Sequence, residues 1–129
     1  VRPYFHTEWP EAQKVNGITP EMVAGAPYPH ELLPQLVEIF SEMSVCIGYN
    51  TSFDLGFLDR IGIPTEHLTV IDVMQMFVDY LNANGGTRRR ASLSTCTKHF
   101  DYQWEGAAHN SLADAKATLY CYNMMKIIK

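Results

Sequence analysis

At 129 residues the chain has the length of one domain, and 47% apolar against 19% charged residues marks one that buries a core, not a disordered tail or a low-complexity linker. No run approaches the roughly 20 consecutive apolar residues of a membrane-spanning helix, so an integral membrane protein is not expected. A formal charge of -4 excludes a chain that is a basic nucleic-acid clamp throughout; an acidic site can still meet nucleic acid where divalent cations supply the positive charge.

Residues 1–19 read as irregular, punctuated by Pro3, Pro10 and Gly17. Thr19-Pro20-Glu21 then reads as a helix start, with a hydroxyl N-cap, proline at the first helical position and an acid in the first turn. Gly25, Pro27 and Pro29 keep that helix short. A longer helix follows, carrying Leu33, Leu36, Val37, Phe40 and Met43 on one face; it tolerates Pro34 only in its first turn. Val45-Cys46-Ile47-Gly48-Tyr49 is a continuous apolar run that suits a strand buried on both faces. A helix from about Asn50 to Arg60, closed by Gly62 and Pro64, leads to a second strand at Leu68–Ile71. Val73, Met76, Phe77, Tyr80 and Leu81 form the next helical stripe. Residues 82–90 are a polar loop ending in Arg88, Arg89 and Arg90. Leu93, Cys96, Thr97 and Phe100 mark a short helix, and Ala113, Ala117, Cys121, Met124 and Ile128 line a final one from about Ser111.

Cys46, Cys96 and Cys121 are odd in number, with no close pair among them, which argues against a secreted disulfide scaffold. Each lies in an apolar pattern and reads as a small buried hydrophobe, although Cys96 and His99 stand at metal-compatible spacing. The start, Val1-Arg2-Pro3, resembles neither a signal peptide nor a natural N-terminus. Strand, helix, strand, helix predicts a parallel βαβ unit. Two buried-type strands with about five helices leave sheet edges unpaired, so partner strands are expected from outside these residues.

Two constellations carry chemistry. Gly48-Tyr49-Asn50-Thr51-Ser52-Phe53-Asp54 places an acid in the first turn of a helix directly beyond a strand, where open α/β sheets put their ligand sites. Asp54 is aimed to hold a cation there, or else simply offsets the helix dipole. His109-Asn110-Ser111-Leu112-Ala113-Asp114 sets a histidine before the last helix and an acid in its first turns. Ser111 and Asp114 also fit a capping pattern, so a structural role for Asp114 stays open.

In this order, Tyr-Asn-x-x-Phe-Asp after a strand and His-x-x-x-x-Asp opening a C-terminal helix resemble the second and third motifs of the DEDDh exonuclease family. That family includes the proofreading exonuclease subunits of bacterial replicative polymerases, such as the epsilon subunit of DNA polymerase III. Asn16-Gly17-Ile18-Thr19 is similar to its "His-Gly-Ile-Thr" turn, with Asn16 for His, and Val70-Ile71-Asp72-Val73 to its strand ending in "Asp-Thr", with Val73 for Thr. Leu93 through Phe100 stands where the family has its "Leu…Leu-Cys" helix. His109 through Ala115 follows "His-x-Ala-x-x-Asp-Ala", with Ser111 for the first Ala.

The resemblance implies an α/β domain with a ribonuclease H-like fold, a mixed sheet flanked by helices, over residues 1–129, incomplete at the N-terminus. The family's first motif, Asp-x-Glu, occurs nowhere in the sequence, and Glu8 and Glu11 are poor substitutes. The implied activity is metal-dependent 3′–5′ hydrolysis of phosphodiester bonds at a DNA or RNA 3′ end, releasing mononucleotides. Asp54 and Asp114 would be ligands of a two-metal Mg2+ or Mn2+ site, and His109 the general base. Asn50 and Phe53 border the expected cleft and stand as substrate contacts, although capping is the plainer role for Asn50 and core packing for Phe53. Arg88, Arg89 and Arg90 could meet phosphates, or form a solvated loop. A cytoplasmic protein, with a polymerase as candidate partner and no membrane, is the matching expectation; without the first motif the chain alone should be inactive. The rival is a non-catalytic exonuclease-like module that binds nucleic acid or a protein. A third reading is an unrelated α/β domain whose acids only cap helices.

Overall fold

The computed structural model describes residues 1–105 and 110–128. Their elements are α1 (Pro10–Asn16), α2 (Pro20–Val23), α3 (Pro29–Glu42), β1 (Val45–Gly48), α4 (Thr51–Arg60), β2 (Thr69–Asp72), α5 (Val73–Ala83), α6 (Leu93–His99) and α7 (Ser111–Ile127). The chain divides into two compact units, Val1–Met43 with Gly56–His67, and Ser44–Leu55 with Leu68–Lys129.

In the first unit, the segment expected to be irregular contains α1. Pro10 opens it, and Gly17, at φ 70, closes it with its N–H on the Gln13 carbonyl. Glycine reaches that left-handed conformation without a Cβ penalty. The Thr19 hydroxyl caps α2 as expected, accepting from the Met22 N–H. Helix α3 starts earlier than its apolar stripe requires. Pro29 sits in its first turn and the Glu31 carboxylate accepts the Tyr28 N–H at 2.7 Å, so Pro34 falls in the second turn. Leu33, Leu36, Val37 and Phe40 are half-buried along one side. The His67 Nε2–H donates to the Phe40 carbonyl at 2.9 Å. Tyr4 stacks on Tyr28 with ring centroids 5.3 Å apart, and the Arg2 guanidinium lies 5.2 Å from the Tyr28 centroid.

The second unit is built on a parallel pair. Val45 pairs with Thr69, Cys46 with Val70, Ile47 with Ile71 and Gly48 with Asp72. The α4 connection between the strands makes this the expected βαβ unit. The burial expectation fails: Val45, Ile47 and Val70 remain 45%, 37% and 42% exposed. Among the described residues no third strand joins the pair, so the apolar runs lack the cover that a wider sheet provides.

The core lies instead among α5, α6 and α7. Val73, Phe77, Val78, Ala91, Cys96, Phe100, Cys121 and Met125 are buried together, with Tyr49, Met76, Tyr80, Leu81 and Met124 packed around them. Both helical stripes read from the sequence therefore hold, except that Met125 is buried and Ile128 is not. The Tyr49 hydroxyl, pushed up by burial, donates to the Ala91 carbonyl at 2.9 Å. Cys96 and Cys121 are core residues, as expected. A hydrogen bond to Cys121 and burial hold the Cys96 thiol well above its ordinary range. Helices α5 and α7 both pack against β1, which brings the starts of α4, α5 and α7 into one unit.

Candidate functional site

The C-terminal ends of β1 and β2 set the local geometry. At Gly48 an added Cβ would lie 2.5 Å from the Thr51 methyl, so the strand end can approach the buried Thr51 only as glycine. Asn50 then takes a left-handed turn at φ 60, its carbonyl accepting the Phe53 N–H. Asparagine tolerates that conformation better than most side chains.

Asp72 holds the turn from the neighbouring strand. Its Oδ1 accepts from the backbone N–H groups of Asn50 at 3.0 Å, Met74 at 2.9 Å and Gln75 at 3.4 Å. Its Oδ2 accepts from the Thr51 N–H at 3.1 Å and the Thr51 hydroxyl at 3.2 Å. One carboxylate thus caps α5 and fastens the start of α4, and negative charge is favoured at both helix N-termini. The sequence reading noted Asp72 only as the end of a family-like strand. An aspartate between an apolar run and a helical stripe is the signal that could have identified it as a cap.

Asp54 lies exposed in the first turn of α4. Desolvation and then the nearby Asp72 charge hold its carboxyl above the usual carboxylate range. Phe53 is 63% exposed, so core packing is not its role. The hydrogen bonds of Asn50 described above run through its backbone, which departs from the expected side-chain cap.

Asp114 is half-buried in the first turn of α7. The cap of α7 is not Ser111 but Asn110, whose Oδ1 accepts from Leu112 at 3.1 Å and Ala113 at 3.4 Å. Ser111 is the first helical residue, so the expected Ser-x-x-Asp cap gives way to an asparagine one position earlier, a side chain of equal capping strength. The Asp114 carbonyl accepts the Thr118 hydroxyl at 2.8 Å. His109 lies outside the described residues.

The donor chemistry suits a hard cation: carboxylate oxygens stand at strand ends and helix starts, and the surroundings of Asp54 disfavour its charged form, which a bound cation would favour. The number of donors is smaller than a full cage. Among the described residues no three His, Cys, Asp or Glu side chains cluster to hold a metal ion. Nor, among them, is any helix long and apolar enough to cross a membrane.

The Exonuclease family model matches residues 7–122, a span that includes Asn50, Phe53, Asp54, His109 and Asp114. The DNA polymerase III subunit epsilon of Pasteurella multocida (strain Pm70) is 34% identical over 74 residues, covering 52% of this chain and 29% of that protein. The DNA polymerase III PolC-type of Halalkalibacterium halodurans is 28% identical over 109 residues, covering 81% of this chain and 7% of that protein. The chain therefore spans less than a third of either relative. No solved structure matches it. The family match, set beside the parallel βαβ unit, gives the ribonuclease H-like α/β fold expected from the sequence.

Proposed function

Because this chain belongs to the exonuclease family, we propose that it forms part of a metal-dependent 3′–5′ exonuclease of the DEDDh type. Its substrate is a DNA or RNA 3′ end, from which it releases mononucleotides. The observation that carries the reading is Asp54: a carboxylate in the first turn of a helix beyond a parallel strand, its carboxyl held above the usual range by desolvation and the Asp72 charge, in a motif that resembles the family's second.

Asp54 and Asp114 would hold Mg2+ or Mn2+. Bound there, the cations would supply electrostatic stabilisation to the attacking and leaving oxygens. His109 takes the proton of the attacking water at an imidazole nitrogen, the side-chain type best suited to general-base work near neutral pH. Asn50 and the exposed ring of Phe53 contact the terminal nucleotide. Asp72, committed to five donors, positions the Asp54 helix instead of binding the ion. The relatives' names make a polymerase the proposed partner.

No Asp-x-Glu occurs in the sequence, so the 129 residues alone lack two expected ligands and are predicted to be inactive. The test uses a 5′-labelled oligonucleotide with Mg2+, comparing this chain with the same chain joined to whatever its gene encodes upstream of Val1. A ladder shortening from the 3′ end is expected only from the longer protein. Activity of the 129 residues alone would mean that other carboxylates complete the site. A longer protein that binds the strand without cutting it would instead support a non-catalytic module. In the active protein, His109→Ala should slow hydrolysis by about 10²–10⁴-fold with metal affinity little changed. Near-normal turnover would contradict the assignment.

A further inference from the structure

A cleft of about 330 Å³ opens in the second unit, lined by Phe77, Leu81, Arg88, Thr95, Lys98 and His99. It shares no residue with the carboxylate site, and its charge is opposite. Residues 80–100 include Arg88, Arg89, Arg90 and Lys98 and no Asp or Glu, within a chain whose formal charge is -4. The ion pairs among the described residues are Lys14 with Glu11 and Lys116 with Glu105, so neither Arg88 nor Lys98 is neutralised by a carboxylate of a described residue.

The cleft is held open by its own framework. The Asn82 side-chain amide clamps the Arg88 backbone, accepting its N–H at 2.8 Å and donating to its carbonyl at 2.9 Å. The Gly86 N–H donates to the Leu81 carbonyl at 2.9 Å, where an added Cβ would lie 2.8 Å from that oxygen. The His99 ring packs edge-on against Phe77 and Tyr80, 5.4 Å from each centroid, and 4.8 Å from that of Phe100. Two cations, a hydroxyl and an imidazole thus surround an apolar floor, an arrangement that recognises an oxyanion attached to an apolar body.

We propose that this cleft binds a backbone phosphodiester of the nucleic-acid strand, with Arg88 and Lys98 as its anion contacts. The class of ligand rests on the nuclease reading; the site rests on the cleft. Its contribution is to hold the strand, so it acts on KM for long substrates. It also concentrates the positive field of an otherwise acidic protein where a polyanion can dock.

The test is fluorescence anisotropy of a labelled single strand of about 12 nucleotides, in EDTA so that metal and hydrolysis play no part. Arg88→Gln combined with Lys98→Gln should weaken binding about tenfold. Removing two phosphate contacts should also make the slope of log affinity against log salt shallower by about 1.4. Lys14→Gln with Lys126→Gln, matched in charge and outside the cleft, should change affinity less than about twofold. The charge-keeping exchange Arg88→Lys with Lys98→Arg should retain binding, which separates lost charge from lost fold. Equal weakening by the control pair, no weakening by the cleft pair, or full competition by inorganic phosphate at about 1 mM would each overturn the proposal. A dinucleotide has a single internucleotide phosphate, which must occupy the catalytic site to be cut. Normal dinucleotide turnover with unchanged KM for long strands in the cleft variant would sink this inference alone; absence of all turnover in the complete enzyme would sink the nuclease reading.

Discussion

Asp72 illustrates how one side chain sets the geometry of another. Its two oxygens receive five donors, four of them backbone N–H groups at the starts of α4 and α5. Asp72→Ala should therefore destabilise the fold by about 2–4 kcal/mol, the sum of a lost cap and several orphaned donors, measured as a shift in urea midpoint. Asp72→Asn should cost less, because the amide keeps one accepting oxygen. Equal losses from both variants would mean that the donors find other partners.

Asp54 titrates in the opposite sense to an ordinary paired carboxylate. Its carboxyl is held above the usual range in the folded chain, so the folded state binds the proton more tightly than the unfolded one. Stability then falls as pH rises through that window, and the full cost persists at neutral pH. Asp54→Asn should raise Tm by about 1–2 °C at pH 7, a small effect because solvent screens this exposed group. The gain should shrink as pH falls through the unfolded aspartate's range and vanish below about pH 3, where the aspartate is protonated in both states. A Tm that drops at pH 7 would show that the carboxylate stabilises the fold. The first-turn positions of Asp54 and Asp114 were legible in the sequence because strand-then-acid and histidine-then-acid are local patterns. The α7 cap was not, since Asn110 and Ser111 are both good caps and only backbone conformation separates them.

At the scale of elements, the 3.6-residue periodicity of α5 and α7 was read from residues that prove to be the core, Val73, Phe77, Ala113, Ala117 and Cys121 among them. Helix α1 was missed although Pro10 and Gly17 mark its ends, because its seven residues bury nothing and leave no apolar stripe. The strands were found by composition, and the unpaired edges expected for two buried-type strands are present, leaving Val45, Ile47 and Val70 exposed. Burial is decided by neighbouring elements, which a local run does not specify. Pro34 shows the same tension within α3. It has no N–H for the His30 carbonyl, yet the helix continues through it because Pro29 and Glu31 fix an earlier start. Pro34→Ala should stabilise the protein by about 1–2 kcal/mol, the restored helix bond less the greater entropy of the unfolded chain. Guanidinium unfolding reads it directly; a destabilised variant would mean that the ring packs better than the bond it displaces.

Across the whole molecule, charge is sorted by place. Asp54 and Asp72 stand near one another at the ends of the parallel strands, while the cations of the arginine loop and α6 have no ion-pair partner among the described residues, in a chain of net charge -4. Net charge alone argued only against a basic clamp and does not tell where along the chain the cations stand. The ribonuclease H-like class was readable because motif order survives in one dimension. How donors gather around an ion is a property of three dimensions, and among the described residues no three His, Cys, Asp or Glu side chains do so.

The central claim is that Asp54 and Asp114 serve one cation site. It is tested most directly by adding substoichiometric Mn2+ to the metal-free protein and following backbone amide signals by NMR. Signals of residues 51–55 and 111–115 should broaden together, and either Asp54→Asn or Asp114→Asn should weaken the broadening at both segments. Broadening confined to one segment, or persisting at one after loss of the other's aspartate, would contradict a shared site.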